Sequence, residues 1–343
     1  MTLASLGLAG CSASGRSMPP ITASSYLAAT PISAALLVKG AAFLTISSES
    51  GRGFSLQLRA INDGHTLGTV FRSASSTTSL EAAAEPDGSV LAAQNGHCSS
   101  TLLRLNLAAG RQQVIRRIPE EVSDMVLNPS GTKIAYLAQR TCSHYTCPSS
   151  CAGPAGFLPN VLVVMDVLTG RSSRTGTDTA GHPLMNLTWS PDGTQIAAAY
   201  YGNTTKLLRF NASAPDFAAA TAIAARTGCE YIATTWTRSG LISAEACGRD
   251  LSFSPGRLVE TTPTGAIRNS WRLPDCVNGL SLASTPNGMG TLVQVDIGYG
   301  DGACATAQAD AVNPLTRIAM IDGTRLRTVI ELRDGLAVNL AGY

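Results

Sequence analysis

A phrase of about sixteen residues recurs along this chain, and the recurrence limits its possible folds more than composition does. The clearest copy is "MNLTWSPDGTQIAAAY" at 185–200. Weaker ones are "LEAAAEPDGSVLAAQN" at 80–95, "DMVLNPSGTKIAYLAQ" at 124–139, "YIATTWTRSGLISAEA" at 231–246 and "GLSLASTPNGMGTLVQV" at 279–295. The weakest is "SAALLVKGAAFLTIS" at 33–47. Each reads as an alternating apolar strand, a tight turn ending in glycine, and a second apolar strand. In the turn, proline presets φ, Asp or Asn bonds back to the local backbone, and glycine takes the positive-φ position, as in Pro191, Asp192 and Gly193.

The turn glycines fall at 40, 88, 131, 193, 240 and 288, so the steps are 48, 43, 62, 47 and 48. One step is about fifteen residues too long, and the excess coincides with "TCSHYTCPSSC" at 141–151. That segment is an insertion into one repeat, at about 140–159. A third and usually a fourth strand follow each hairpin, as in "LLRLNLAAGRQQVIRRI" at 102–118 and "RIAMIDGTRLRTVIEL" at 317–332. Four antiparallel strands per unit of about 47 residues, without helical periodicity between units, predict β-propeller blades. The expectation is an all-β chain whose residues 32–343 form a single propeller of six four-stranded blades, with seven as the alternative. The C-terminal "GLAVNLAGY" reads as the first strand of another repeat, so it is expected to pair with the N-terminal blade and close the ring.

"LTWSPDGTQIAAAY" resembles the WSPDG repeat of TolB-type, WD-repeat-like propellers, which are common among bacterial exported proteins. The resemblance covers residues 33–343 and is most specific at 187–200; Ala84, Leu127 and Ala283 replace Trp189 in other copies, while Trp236 keeps it. It implies fold more than activity. Related propellers also occur fused to serine peptidase domains, and these 343 residues leave no span for one.

Residues 8–11, LAGC, resemble a bacterial lipobox. That resemblance implies that residues 1–10 are the remnant of a signal peptide and that Cys11 carries a lipid. The basic n-region of such a signal would then lie upstream of Met1. Residues 11–31, rich in Ser, Ala, Pro and Thr, read as a flexible tether. The expected location is extracytoplasmic, anchored to the membrane through Cys11 alone, with secretion as the alternative. The apolar stretch at 34–46 is thirteen residues long and interrupted by Lys39, short of the roughly 20 a spanning helix needs.

Nine cysteines less Cys11 leave eight, at 98, 142, 147, 151, 229, 247, 276 and 304, an even number that favours disulfides in an exported chain. If the glycine turns join first to second strands at one face, all eight cysteines fall at the other. Reflecting Cys247 through the turn at 237–240 sets it beside Cys229, which predicts a bond across the hairpin. Cys276 with Cys304 repeats the relation if 298–303 folds back as a loop. Cys98, Cys142, Cys147 and Cys151 allow three connectivities, of which one bond from Cys98 into the cluster and one within it is preferred. Zinc, with His97 and His144, is the rival reading of this cluster, and no metal is expected.

No nucleophile elbow, HExxH, GxGxxG or Walker pattern occurs. Only 14% of residues are charged, with a net charge of +2, so no basic stripe exists to neutralise a nucleic-acid backbone. Tyr145, Tyr200, Tyr201 and Tyr299, with Asp250 and Asp301, fall near the cysteine face and form the candidate binding surface. The sequence therefore reads as a monomeric, non-catalytic module that binds a protein or glycan at the cell envelope and needs no cofactor. The alternative is a propeller hydrolase or lyase working at the channel mouth on the cysteine face. Against it, the channel ends of the first strands read mainly Ala, Leu and Thr.

Overall fold

The computed structural model describes residues 34–49, 53–73, 77–96, 99–139, 160–176, 182–201, 205–247, 256–262, 265–274, 277–285, 290–297, 315–332 and 338–340. The lipobox, the tether and the cysteine-rich insertion lie outside the described residues, as do Cys98, Cys276 and Cys304.

The described strands form six four-stranded antiparallel sheets in a ring. The first blade contains β1 (Ala42–Glu49), β2 (Gly53–Ala60) and β3 (Thr66–Arg72). The second is β4 (Ser79–Ala84), β5 (Val90–Gly96), β6 (Ser99–Asn106) and β7 (Arg111–Ile118). The third is β8 (Val122–Leu127), β9 (Lys133–Gln139), β10 (Asn160–Asp166) and β11 (Ser172–Arg174). The fourth is β12 (Leu184–Trp189), β13 (Gln195–Tyr201), β14 (Thr205–Asn211) and β15 (Thr221–Ile223). The fifth is β16 (Cys229–Trp236), β17 (Leu241–Cys247), β18 (Arg257–Thr261) and β19 (Ile267–Arg272). The sixth is β20 (Val277–Ser284), β21 (Thr291–Ile297), β22 (Leu315–Asp322) and β23 (Arg325–Leu332).

The innermost strand of the first blade comes from the other end of the chain. β24 (Val338–Leu340) pairs with β1 through Thr45 with Leu340, Ile46 with Asn339 and Ser47 with Val338, which closes the ring as the sequence predicts. One expectation fails here. Residues 34–38, read above as the first strand of a hairpin, form the short helix α1 (Ala34–Val38). With β24 in the innermost slot, this segment has no ladder to join, and Ala and Leu are good helix formers. Gly40, read above as a hairpin turn, instead ends α1: its φ is 66°, its N–H donates to Leu37 O, and Ala41 N–H donates to Leu36 O.

The core is divided into layers between blades, because successive residues of a strand face opposite neighbours. Ala82 and Ala84 pack towards the first blade, with Leu44, Leu56 and Leu58, whereas Ala83 packs towards the third, with Tyr136 and Val163. Phe43, fully buried, meets Leu292, Ile318 and Val329 in the layer that joins the last blade to the first. Small residues such as Ala92, Ala93, Ala197 and Ala198 are fully buried in the second strands, between neighbouring blades.

The repeat turns owe their glycines to two different causes. Gly88, Gly131 and Gly193 have φ of 82°, 71° and 70°, and each donates its N–H to the carbonyl three residues earlier. Gly240 departs from the expected positive φ. There a Cβ would come within 2.1 Å of Thr261 O, so close backbone approach is what demands glycine.

Candidate functional site

The turns joining first to second strands gather at one end of the ring axis, where residues of five blades line a cavity of about 260 Å³. Its wall is one column of the repeat. Ala84, Leu127, Trp189 and Trp236, each four residues before its turn glycine, are all buried there. Two residues further on, Pro86, Pro129, Pro191 and Arg238 are exposed and form the rim.

The polar groups of this bowl are largely committed to the fold. Glu85 accepts two bonds of 2.7 Å from the guanidinium of Arg104. Asn128 ties up its own turn, accepting from Thr132 N and Lys133 N and donating to Ser130 Oγ. The indole N–H of Trp189 donates to Val126 O of the preceding blade at 3.2 Å. The bowl presents proline rings and indoles, with the Arg238 guanidinium in its rim, the composition expected of a binding pocket.

Deeper in the ring lies a polar belt. Glu81, Asp124 and Asn186 each stand seven residues before a turn glycine, on the first strands of consecutive blades. Each holds the backbone of the next blade. Glu81 accepts from Met125 N, Asp124 Oδ2 from Asn186 N at 3.0 Å, and Asn186 Nδ2 donates to Ile232 O at 3.0 Å. The hydroxyl of Tyr201 donates to the same Ile232 O at 2.7 Å. Asp124 and Asn186 sit at irregularities in the ladders of β8 and β12, with left-handed φ of 49° and 56°, which Asp and Asn tolerate better than other side chains.

Burial of Glu81, reinforced by the charge of Asp124, pushes its pKa up to about 8, and the bond from Met125 N opposes the rise. Burial raises Asp124 as well, opposed by Asn186 N–H. Burial followed by the charges of Asp124 and Glu230 raises Tyr201, so its phenol stays neutral. Both carboxylates keep partial solvent access while protein surrounds them, as expected of side chains facing an internal channel. This corrects the expectation of a channel lined mainly by Ala, Leu and Thr. The signal was present in the sequence: the column reading Glu, Asp, Asn interrupts otherwise apolar strands.

The cysteine face is the opposite end of the same hairpins. Cys229 and Cys247 are register partners at the far end of β16 and β17 from the turn at 237–240, and they are joined by a disulfide. Beside it, the fully buried Glu245 accepts bonds from Arg257 Nε, Arg226 Nη2 and Arg226 Nε. Burial alone would raise the Glu245 pKa, but the two guanidiniums outweigh it and hold the carboxyl ionised. The two sulfurs and the carboxylate lie within 4.8 Å of one another, yet the disulfide and the arginines use up their donor capacity, so this cluster does not suit a metal ion.

Of the candidate surface, Tyr200 and Tyr201 are described, and both are half-buried. Tyr200 packs edge-on against His182 and Phe217, with its hydroxyl 2.9 Å from His182 Nδ1. Tyr145, Tyr299, Asp250 and Asp301 lie outside the described residues, as do Cys142, Cys147, Cys151, His97 and His144. Among the described residues no helix is long and apolar enough to cross a membrane.

No family model matches the sequence, and no curated protein does. Solved structures do match. TolB from Acinetobacter baumannii aligns with a TM-score of 0.59 at 14% identity, over 88% of this chain and 66% of that one. An oligogalacturonate lyase in complex with manganese aligns at 0.54 and 16% identity, over 82% and 72%. A TolB-like protein from Agrobacterium tumefaciens aligns at 0.51 and 12% identity, over 88% and 99%. This chain thus spans just under two thirds of the Acinetobacter protein. At such identities the likeness is one of fold. The sheet order, the ring closed by the C-terminal strand and the glycine turns of the repeat make this chain a six-bladed β-propeller of TolB type in fold.

Proposed function

We propose that this protein is a non-catalytic binding module of the cell envelope, held at the membrane by a lipid on Cys11, and that a protein partner inserts a short extended segment into the channel mouth on the turn face. The bowl at that mouth carries the reading. Its rim holds the rigid, exposed rings of Pro86, Pro129 and Pro191 with the exposed Arg238 beside them, and its wall of Trp189 and Trp236 offers apolar area at little conformational cost on binding. This moves the favoured surface from the cysteine face, where the sequence suggested it, to the opposite one.

A photo-crosslinking residue in place of Arg238 tests this in the native envelope, with the same residue in place of the exposed Leu168 as control. The expected result is one discrete protein adduct at 238 and none at 168. A glycan adduct, or equal labelling at both positions, overturns the choice of partner or of surface. Incorporation of a palmitate analogue, abolished by Cys11→Ser, tests the anchor; unchanged labelling refutes it.

The belt favours a second reading, a propeller lyase or hydrolase, because Glu81 and Asp124 are carboxylates with raised pKa in the channel. Their partners weaken it. Each accepts a backbone N–H from the next blade, a role in which a carboxylate works as an inter-blade staple. Turnover of a small substrate that is lost in Asp124→Asn, with fold retained, supports the enzyme over the binding module.

A further inference from the structure

We propose that Cys229–Cys247 is a thiol–disulfide exchange site that accepts electrons from a protein dithiol, with attack at Cys247 and departure of the Cys229 thiolate. The disulfide lies at the opposite end of the hairpin from the channel mouth, so this inference stands apart from the binding reading.

Three observations carry it. Cys247 is exposed and Cys229 half-buried, so an incoming thiol reaches Cys247 first. Arg226 Nη2 lies 3.8 Å from Cys229 Sγ and 3.7 Å from Cys247 Sγ, near enough for its charge to stabilise a developing thiolate. Arg226 is also not neutralised where it stands. It shares the carboxylate of Glu245 with Arg257, so among the described residues two guanidiniums meet one carboxylate and this cluster keeps a net positive charge beside the sulfurs. Of the other titratable groups on these strands, Tyr231 is kept protonated by burial and by the Glu245 charge, and Glu230 acts on Tyr201 on the channel side.

The step is a displacement. The thiolate of the dithiol attacks Cys247 Sγ, an S–S bond forms to the incoming sulfur, and the Cys229–Cys247 bond breaks with its electron pair on Cys229 Sγ beside Arg226. The second thiol of the reductant then attacks the mixed disulfide and releases the Cys247 thiolate. Two electrons pass to this chain, the reductant leaves as its own disulfide, and its two protons are available to the two new thiols. The blade does not need the bond for its register. The β16 and β17 ladder continues from Glu230 with Ala246 to Trp236 with Leu241, so the hairpin survives reduction.

The test uses the oxidised full chain in native buffer. Dithiothreitol or glutathione is added, the reaction is quenched by alkylation, and each cysteine is followed by mass spectrometry. Glutathione should appear on Cys247, and Arg226→Gln should slow opening by about 3- to 10-fold, the effect of raising the leaving-group pKa by roughly one. Arg257→Gln, which leaves Arg226 paired one-to-one with Glu245 but still beside the sulfurs, should slow opening by less than Arg226→Gln does, and all variants should react alike once unfolded in guanidinium chloride. Arg226→Lys restores the charge and should be faster than the glutamine variant. Adduct on Cys229, an Arg226→Gln rate equal to wild type, equal slowing by Arg257→Gln, or a lysine variant as slow as the glutamine one overturns the proposal.

Discussion

Replacing Glu81 by glutamine should make the protein less sensitive to pH, in a direction opposite to that of an ordinary salt-bridged carboxylate. In the fold, burial and the neighbouring Asp124 lift the Glu81 pKa to about 8, against an ordinary value of 4.5. A raised folded pKa means that the native state holds a proton that the unfolded chain releases. The contribution is therefore complete below the ordinary carboxylate pKa and is lost as pH climbs towards 8. Each tenfold change in proton affinity is worth about 1.4 kcal/mol, so the full difference comes to about 5 kcal/mol; channel water reaching the carboxyl brings the expected loss to about 3 kcal/mol between pH 5 and pH 8. Glutamine keeps an acceptor for Met125 N and has nothing to ionise, so its stability should not change through this group. Urea unfolding of both proteins at pH 5, 6, 7 and 8 measures the gap. It should be small at pH 5 and widen steadily to pH 8 in favour of Glu81→Gln. A gap that stays constant over this range would show that Glu81 is ionised in the fold at its ordinary pKa, and its role as a protonated staple between blades would fall with it.

Three further outcomes follow from particular contacts. Gly240→Ala drives a Cβ to 2.1 Å from Thr261 O and should cost well over 2 kcal/mol, whereas Gly193→Ala, strained only by its φ of 70°, should cost about 1 kcal/mol; comparing their unfolding midpoints separates steric from torsional demand. Phe43→Ala empties the layer that joins the last blade to the first and should destabilise by about 3–5 kcal/mol, read by urea denaturation. Glu245→Gln leaves Arg226 and Arg257 facing each other without a counter-charge and should cost on the order of 3 kcal/mol at neutral pH. Because the folded pKa of Glu245 is depressed, that gap should close as pH falls through it, which thermal unfolding down to pH 3 would reveal.

The sequence alone specified six blades, with seven as the alternative, five of the six repeat hairpins, the closing role of the C-terminal strand and the Cys229–Cys247 bond. These follow from local rules: alternation fixes which residues face a core, turn chemistry fixes where a strand reverses, and reflection about a turn fixes which residues meet. Tertiary structure decided what local rules do not reach. Residues 34–38 carry an apolar pattern that suits strand or helix, and they became α1 because β24, about three hundred residues away in sequence, occupies the slot beside β1. The Trp column is visible as a motif in the sequence, but only ring closure brings Ala84, Leu127, Trp189 and Trp236 together around one cavity. Likewise Glu81 and Asp124 are separate acidic residues in two strands until adjacent blades press them into the same channel, where burial, and for Glu81 also the charge of Asp124, changes the charge they can carry. Pattern along a strand sets which way a side chain faces; what it faces, and at what electrostatic cost, depends on the neighbouring blade.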